Sequence, residues 1–181
     1  MTFRKFLALA LACITLLVFP VMAYAQDSKI AVVDVEKILN VSKAGKSIQE
    51  QLKKRRESFQ KEFSARENNL MNAEKTLVQQ KSDLSPEEFA KKRKEFEKQL
   101  LETRNLFQKR RNSLDKGLGD ALSTLRKNII QVTAEVSDKN KYQVVLTRDS
   151  VVIVQKEMDI TEKVLDRLNK KISNIKLDVA E

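Results

Sequence analysis

Asp83-Leu84-Ser85-Pro86-Glu87-Glu88 is the stretch on which the fold turns. The Ser85 hydroxyl can cap a helix, Pro86 suits the first helical position, and the Glu88 carboxylate can reach back to the Ser85 amide. Pro86 also disfavours helical backbone at Ser85, so one helix must end here and another begin. Upstream, from about Val35 to Leu84, there is no proline and Gly45 is the only glycine. Ile48, Leu52, Phe59, Phe63, Leu70, Leu77 and Leu84 recur by four or seven, a helical stripe with heptad character. The stripe is thin, because Arg55, Arg66 and Gln80 occupy places that would complete a coiled-coil seam. Downstream, Phe89, Phe96, Leu100, Phe107, Leu114, Leu118, Ala121, Leu125, Ile129, Val132 and Val136 repeat by threes, fours and sevens.

Folded about a turn at 83–86, the stripes match: Leu84 with Phe89, Leu77 with Phe96, Phe59 with Leu114, Leu52 with Ala121, Ile48 with Leu125. The spacing predicts an antiparallel helical hairpin over 48–136. A limb of about forty residues reaches roughly 60 Å, so its tip projects into solvent. The flanks predict a small β head in two parts, giving a mainly α fold. The first part, 26–47, holds a strand at about 29–35 and the start of a helix. The second, 137–181, holds strands at about 142–147 and 151–155, joined by Arg148-Asp149-Ser150 as a hairpin. An amphipathic helix at about 160–175 closes it, carrying Val164, Leu165, Leu168, Ile172 and Ile175. A continuous apolar strand needs cover on both faces, and one short helix covers one. The other face is expected on another copy, with Ile30, Val32, Val33, Val144, Leu146, Val152 and Val154 as interface candidates.

The composition narrows the function. In 181 residues, 35 are basic and 25 acidic, for a formal charge of +10, with only three glycines and two prolines. So few turn-makers do not suit a sandwich, a barrel or an alternating βα fold. With no histidine and one cysteine, His-based zinc sites, imidazole catalysis and an intrachain disulfide are excluded. No nucleophile elbow, phosphate loop or metal-ligand cluster is present. Glu87 and Glu88 are carboxylates at the positive end of a helix rather than a catalytic pair. Neither an enzyme nor a cofactor is expected.

Residues 1–25 read as an export signal. Arg4 and Lys5 precede the uncharged run Phe6–Phe19, Pro20 breaks it, and Ala23-Tyr24-Ala25 has the small-x-small pattern of a cleavage site. Cleavage after Ala25 would start the mature chain at Gln26, remove Cys13 and lower the charge by two. The other reading of the run is an uncleaved membrane anchor. Cys13 lies inside the apolar run, which disfavours a lipoprotein.

Five of the eight phenylalanines, Phe59, Phe63, Phe89, Phe96 and Phe107, lie in the outer half of the hairpin. Two helices cannot enclose such large rings on every side. With Leu70 and Leu77 they are candidates for binding apolar groups weakly at many points. Basic clusters occur at Lys53-Lys54-Arg55-Arg56, Lys91-Lys92-Arg93-Lys94 and Lys109-Arg110-Arg111. Part of this charge is a solvated face with pairs such as Glu50–Lys54 and Glu57–Lys61, worth about 0.2–0.5 kcal/mol each. Between Arg66 and Arg111, however, 12 basic residues face 8 acidic ones, and that field attracts acidic chains or anionic lipid. The basic residues are interleaved with Glu on both limbs, so no specific nucleic-acid face emerges. Gly117 and Gly119 each cost the second limb roughly 1 kcal/mol of helix propensity. They are tolerated sequence or, as a functional reading, a hinge.

At Lys29-Ile30-Ala31-Val32-Val33-Asp34-Val35, and at Tyr142-Gln143-Val144-Val145-Leu146 followed by Asp159-Ile160-Thr161-Glu162-Lys163-Val164-Leu165, the chain resembles the Skp/OmpH family of periplasmic chaperones. The resemblance covers essentially all of the chain after the export signal. It implies a homotrimer whose heads join in a small β-barrel, with three helical arms around a cavity. It further implies a periplasmic, ATP-independent holdase for unfolded outer-membrane barrel proteins, with anionic lipid or lipopolysaccharide as a further contact not assigned to residues. The alternative is a structural coiled-coil adaptor or spacer anchored in the inner membrane, which the mass of the mature chain would distinguish.

Overall fold

Ile30–Val33 forms the first strand, β1, in a computed structural model that describes residues 29–179. The expected export signal, its cleavage after Ala25 and Cys13 lie outside the described residues. Asp34 ends β1 and caps helix α1 (Val35–Val41), its carboxylate accepting from the Lys37 amide at 2.7 Å. Ser42, fully buried, caps α2 (Lys43–Gln79) by accepting from the Gly45 amide at 3.1 Å. After 37 residues α2 tightens into a 3₁₀ turn at Gln80–Ser82.

Helix α3 (Pro86–Asn140) opens on the expected capping box. The Ser85 hydroxyl accepts from the Glu88 amide at 3.3 Å, and the Glu88 carboxylate accepts from the Ser85 amide at 3.1 Å. At 55 residues, α3 is about 83 Å long. It ends at Lys141, whose φ of 59° lets the Tyr142 amide donate to the Ser137 carbonyl at 3.1 Å. That reversal feeds strand β2 (Val144–Thr147), which pairs in parallel with β1, Ile30 opposite Val144 and Val33 opposite Thr147. On its other side β1 receives an isolated parallel bridge between Val32 and Asp159, and the Ile160 amide donates to the Val32 carbonyl at 2.9 Å. Helix α4 (Thr161–Lys171) closes the head; its buried Thr161 hydroxyl accepts from the Asp34 amide at 2.8 Å.

The structure corrects the sequence reading at four places. Residues 151–155 form no strand, so the expected hairpin is absent. Arg148–Ser150 curls into a 3₁₀ turn instead, and the segment offers no glycine or asparagine for the positive φ that a tight hairpin needs. Val152 and Ile153 stand in solvent, 95% and 86% exposed.

Second, β1 does not wait for another copy to cover it. Ala31, Val32 and Val33 are all buried within the chain: Ala31 and Val33 join the buried cluster that holds Ile129, Val132 and Val136 at the root of α3, and Val32 is bridged by the Asp159–Ile160 segment. Val32 and Val33 therefore leave the set of exposed interface candidates. Ile30, Val144 and Leu146 stay between 37% and 44% exposed.

Third, the last helix stops at Lys171, and Ile172–Val179 runs on without regular structure across the bases of α2 and α3. Gln51 holds it: its side-chain amide donates to the Ile175 carbonyl at 2.8 Å and accepts from the Leu177 amide at 3.0 Å. Fourth, Gly117 is buried under this tail, not placed at a free bend. A Cβ there would stand 2.3 Å from the Asp178 carbonyl oxygen. Gly119 has nothing within 4 Å of that position.

Candidate binding surface on the helical arm

Burial divides the two long helices. In α2 the buried residues are Ala44, Gly45 and Ile48, all in its first two turns. In α3 burial begins at Leu114 and continues through Gly117, Ala121, Leu125, Ile129, Val132 and Val136. Among the described residues, none from 49 to 113 is buried. Over that distance each helix has only the other for cover, and one apolar stripe can hide only one side of a helix.

Contacts between the helices place the expected residues. The Phe63 and Phe107 rings lie 4.4 Å apart between centroids, tilted by 37°. The Arg110 guanidinium stands 5.4 Å over the Phe59 ring. Glu62, Arg66, Thr103 and Leu106 complete a shallow notch around these four residues. Arg110 Nε is buried there with no hydrogen-bond partner. Farther out, Leu77 and Phe96 line one recess, across which Lys92 Nζ donates to Gln80 Oε1 at 2.6 Å. Phe59 and Leu52 also pack against the buried cluster that holds Leu114 and Ala121.

The rings are less bare than the sequence implied. Phe59, Phe63, Leu70, Leu77, Phe89 and Phe96 are half-buried, and of the expected apolar candidates only Phe107, at 44%, is exposed. Sequence reasoning missed a second apolar set: Met71, Val78 and Leu101, each 59–67% exposed. Each directly follows a stripe residue, Leu70, Leu77 and Leu100. Successive residues diverge by about 100° around a helix, so the second member of each doublet turns away from the seam. The doublets Leu70-Met71, Leu77-Val78 and Leu100-Leu101 were the signal that could have found them.

The basic clusters of the outer half face solvent. Lys91, Lys92, Arg93, Lys94, Lys109 and Arg111 are exposed. Arg93 pairs with Glu97 at 2.9 Å and Lys54 with Glu50 at 2.9 Å, both one helical turn apart and open to solvent. The Lys54 ammonium holds the Glu50 carboxyl below the usual carboxylate range, and Glu50 in turn raises Lys54. At the tip, hydrogen bonds from the Ser85 hydroxyl and amide hold Glu88 low. No helix among the described residues is long and apolar enough to cross a membrane. Those residues also contain no cluster of three or more metal-ligating side chains.

Among the described residues no strand pairs with the outer edge of β2; Val144 and Leu146 on that strand and Val152 in the segment after it are exposed. Val154 is half-buried. Val33, Val35, Ile130, Thr133, Ala134 and Val145 line an apolar groove beneath this edge, with Ile130 60% exposed.

A family model described as outer membrane protein (OmpH-like) matches residues 29–168. The fold is similar to a crystal structure of an OmpH-like candidate outer membrane chaperone from Caulobacter crescentus. The similarity has a TM-score of 0.80 at 20% identity and covers 84% of this chain and 90% of that one. Curated protein sequences gave no match.

Proposed function

The chain belongs to the OmpH-like family, a family of chaperones and not of enzymes, and from that premise we propose that it is an ATP-independent periplasmic holdase. Its clients are unfolded outer-membrane β-barrel proteins in transit after export. α2 and α3 form an antiparallel arm, and three copies join at the heads, so that three arms enclose a client cavity. The open β2 edge and the groove under it supply the surface for that union, through Ile30, Val144, Leu146, Val152 and Val154. The observation that carries the reading is the absence of any buried residue from 49 to 113 among the described residues. A barrel strand in the unfolded state has an apolar residue at every second position. Many half-exposed apolar points along an arm suit it without a defined pocket, and weak contacts add through effective concentration. The net-positive outer half attracts acidic clients, and anionic lipid by the same field.

Sedimentation of the purified mature protein, alone and with an unfolded barrel protein, tests the proposal. The expected species are a particle of three chains and a particle of three chains with client. A single chain that leaves the client to precipitate would overturn it.

A further inference from the structure

The sequence places residues 172–175 in the last turn of a helix, yet the tail Ile172–Val179 runs without regular structure in a groove at the root of the arm. Ile175, Leu177 and Val179 turn inward and Lys176 and Asp178 outward; Leu177 is 3% exposed. This is a strand-like alternation with a period of two. The polar grip of the groove falls on the segment's backbone at Ile175 and Leu177. Gln51 Nε2 donates to the Ile175 carbonyl at 2.8 Å and Gln51 Oε1 accepts from the Leu177 amide at 3.0 Å, bracketing one residue as a neighbouring strand would. Gly117 lets the Asp178 carbonyl come within 2.3 Å of where a Cβ would stand. The tail's side chains add apolar packing, Leu177 within the buried cluster and Ile175 and Val179 against it, and hydrogen bonds at Asn174, whose Oδ1 accepts from Ser47 Oγ and Gln51 Nε2 at 2.6 and 3.3 Å.

We propose that this groove, made by Ser47, Gln51 and Gly117, is a binding site for extended segments with apolar residues at alternate positions, and that the chain's own tail occupies it in competition with them. Three observations favour such an occupant. The two groups that grip the tail, a bidentate amide and a bare glycine, read backbone and not side-chain identity. The one deep side-chain seat requires only an apolar residue. The alternation in the tail is that of a barrel strand. The tail thus acts as a resident stand-in for a client strand, released when a better one arrives. The inference rests on the chaperone reading and deepens it by naming a segment class and a place.

The test uses the full chain and a fluorescent peptide of residues 174–179 as probe. Leu177→Asp removes the tail's buried anchor while leaving the groove whole. The Leu177→Asp chain is expected to bind the peptide at least about tenfold more tightly than the parent, a shift readily read from titration. Adding Gln51→Ala or Gly117→Val to Leu177→Asp is expected to abolish that gain. Equal binding by parent and variant, or a gain that survives Gln51→Ala, would overturn the proposal. Hydrogen exchange at the Leu177 amide in the unaltered chain gives a second readout that does not depend on the variant's folding. Excess unfolded barrel protein should speed it, and unchanged exchange while client is bound would also overturn the proposal. Client solubility is scored separately: a chain that keeps barrels soluble but fails both tests loses the groove and retains the chaperone reading. One that takes the peptide yet leaves barrels to aggregate loses the holdase reading instead.

Discussion

The root and the outer half of the arm are cut from the same two helices with the same period, yet they live in different surroundings. At the root, Leu125 and Ile129 of α3 are completely buried against Ile38, Ile48 and α4. Fifteen or more residues farther out, Leu101 and Phe107 on that helix are 59% and 44% exposed. What differs is the number of neighbouring layers. The head surrounds the root with α1, α4, the sheet and the tail, whereas the outer half has one partner helix. A periodic stripe is therefore necessary for burial and does not by itself secure it.

The sharpest way to break this contrast is to truncate matched residues. Leu125→Ala or Ile129→Ala should cost about 2–5 kcal/mol in chemical denaturation, the range for cavities in packed cores. Leu101→Ala, on the exposed side of the same helix, should stay within roughly 0.5 kcal/mol of the parent. Equal losses at the two places would abolish the distinction. The glycines sharpen it next. Gly117→Ala must displace the Asp178 carbonyl and should destabilise the chain by about 1–3 kcal/mol, as overpacking does. Gly119→Ala, with open space around it, should stabilise it by up to about 1 kcal/mol. A hinge role shared by both would instead make the two substitutions behave alike.

Two smaller effects follow. Ser85→Ala removes the cap of α3 and should cost about 1 kcal/mol. The loss should appear as faster amide exchange at the tip while the root stays protected. The smallest effect is electrostatic. Lys171 first, and then Arg167, hold the Glu135 carboxyl below the usual carboxylate range where α3 meets α4, with contacts of 2.6 and 2.7 Å. A carboxylate whose pKa is lowered by folding stabilises fully above its unfolded value. That contribution fades as pH falls through the folded one. Glu135→Gln should lower the denaturation midpoint slightly at pH 7 and lose that difference in acid; a difference that persisted there would point to packing and not charge.

The arm was legible in the sequence because its signals are local. Ser85, Pro86 and Glu88 fix a helix start within four residues, and the structure forms the capping box they specify. The stripe ending at Leu84 and the one beginning at Phe89 gave both long helices. The head was less legible because its arrangement depends on contacts between distant parts of the chain. Val151–Val154 has the composition of a strand, but the place beside β1 is taken by Asp159, whose neighbour Ile160 donates to Val32. The packing of Ala31 and Val33 in one cluster with the root of α3 likewise joins residues about a hundred positions apart, beyond the reach of a periodicity argument. Ile175 fits a helical period after Leu168 and Ile172 and equally a strand period before Leu177 and Val179; Gln51, far upstream, decides between them. In the outer half, periodicity located the seam but said nothing of Met71, Val78 and Leu101, which lie just off it.

The proposed division is that the root carries the fold and the outer half carries most of the client capture. Replacing Phe59, Phe63, Phe96 and Phe107 together by Ser, and each alone, while measuring capture of an unfolded barrel protein and the melting of the head, tests it most directly. The account predicts that each single replacement barely weakens capture, that the fourfold variant loses most of it, and that the head melts nearly as before, with any shift traceable to Phe59, which packs against its buried cluster. Loss of capture from one replacement, or undiminished capture by the fourfold variant, would contradict it.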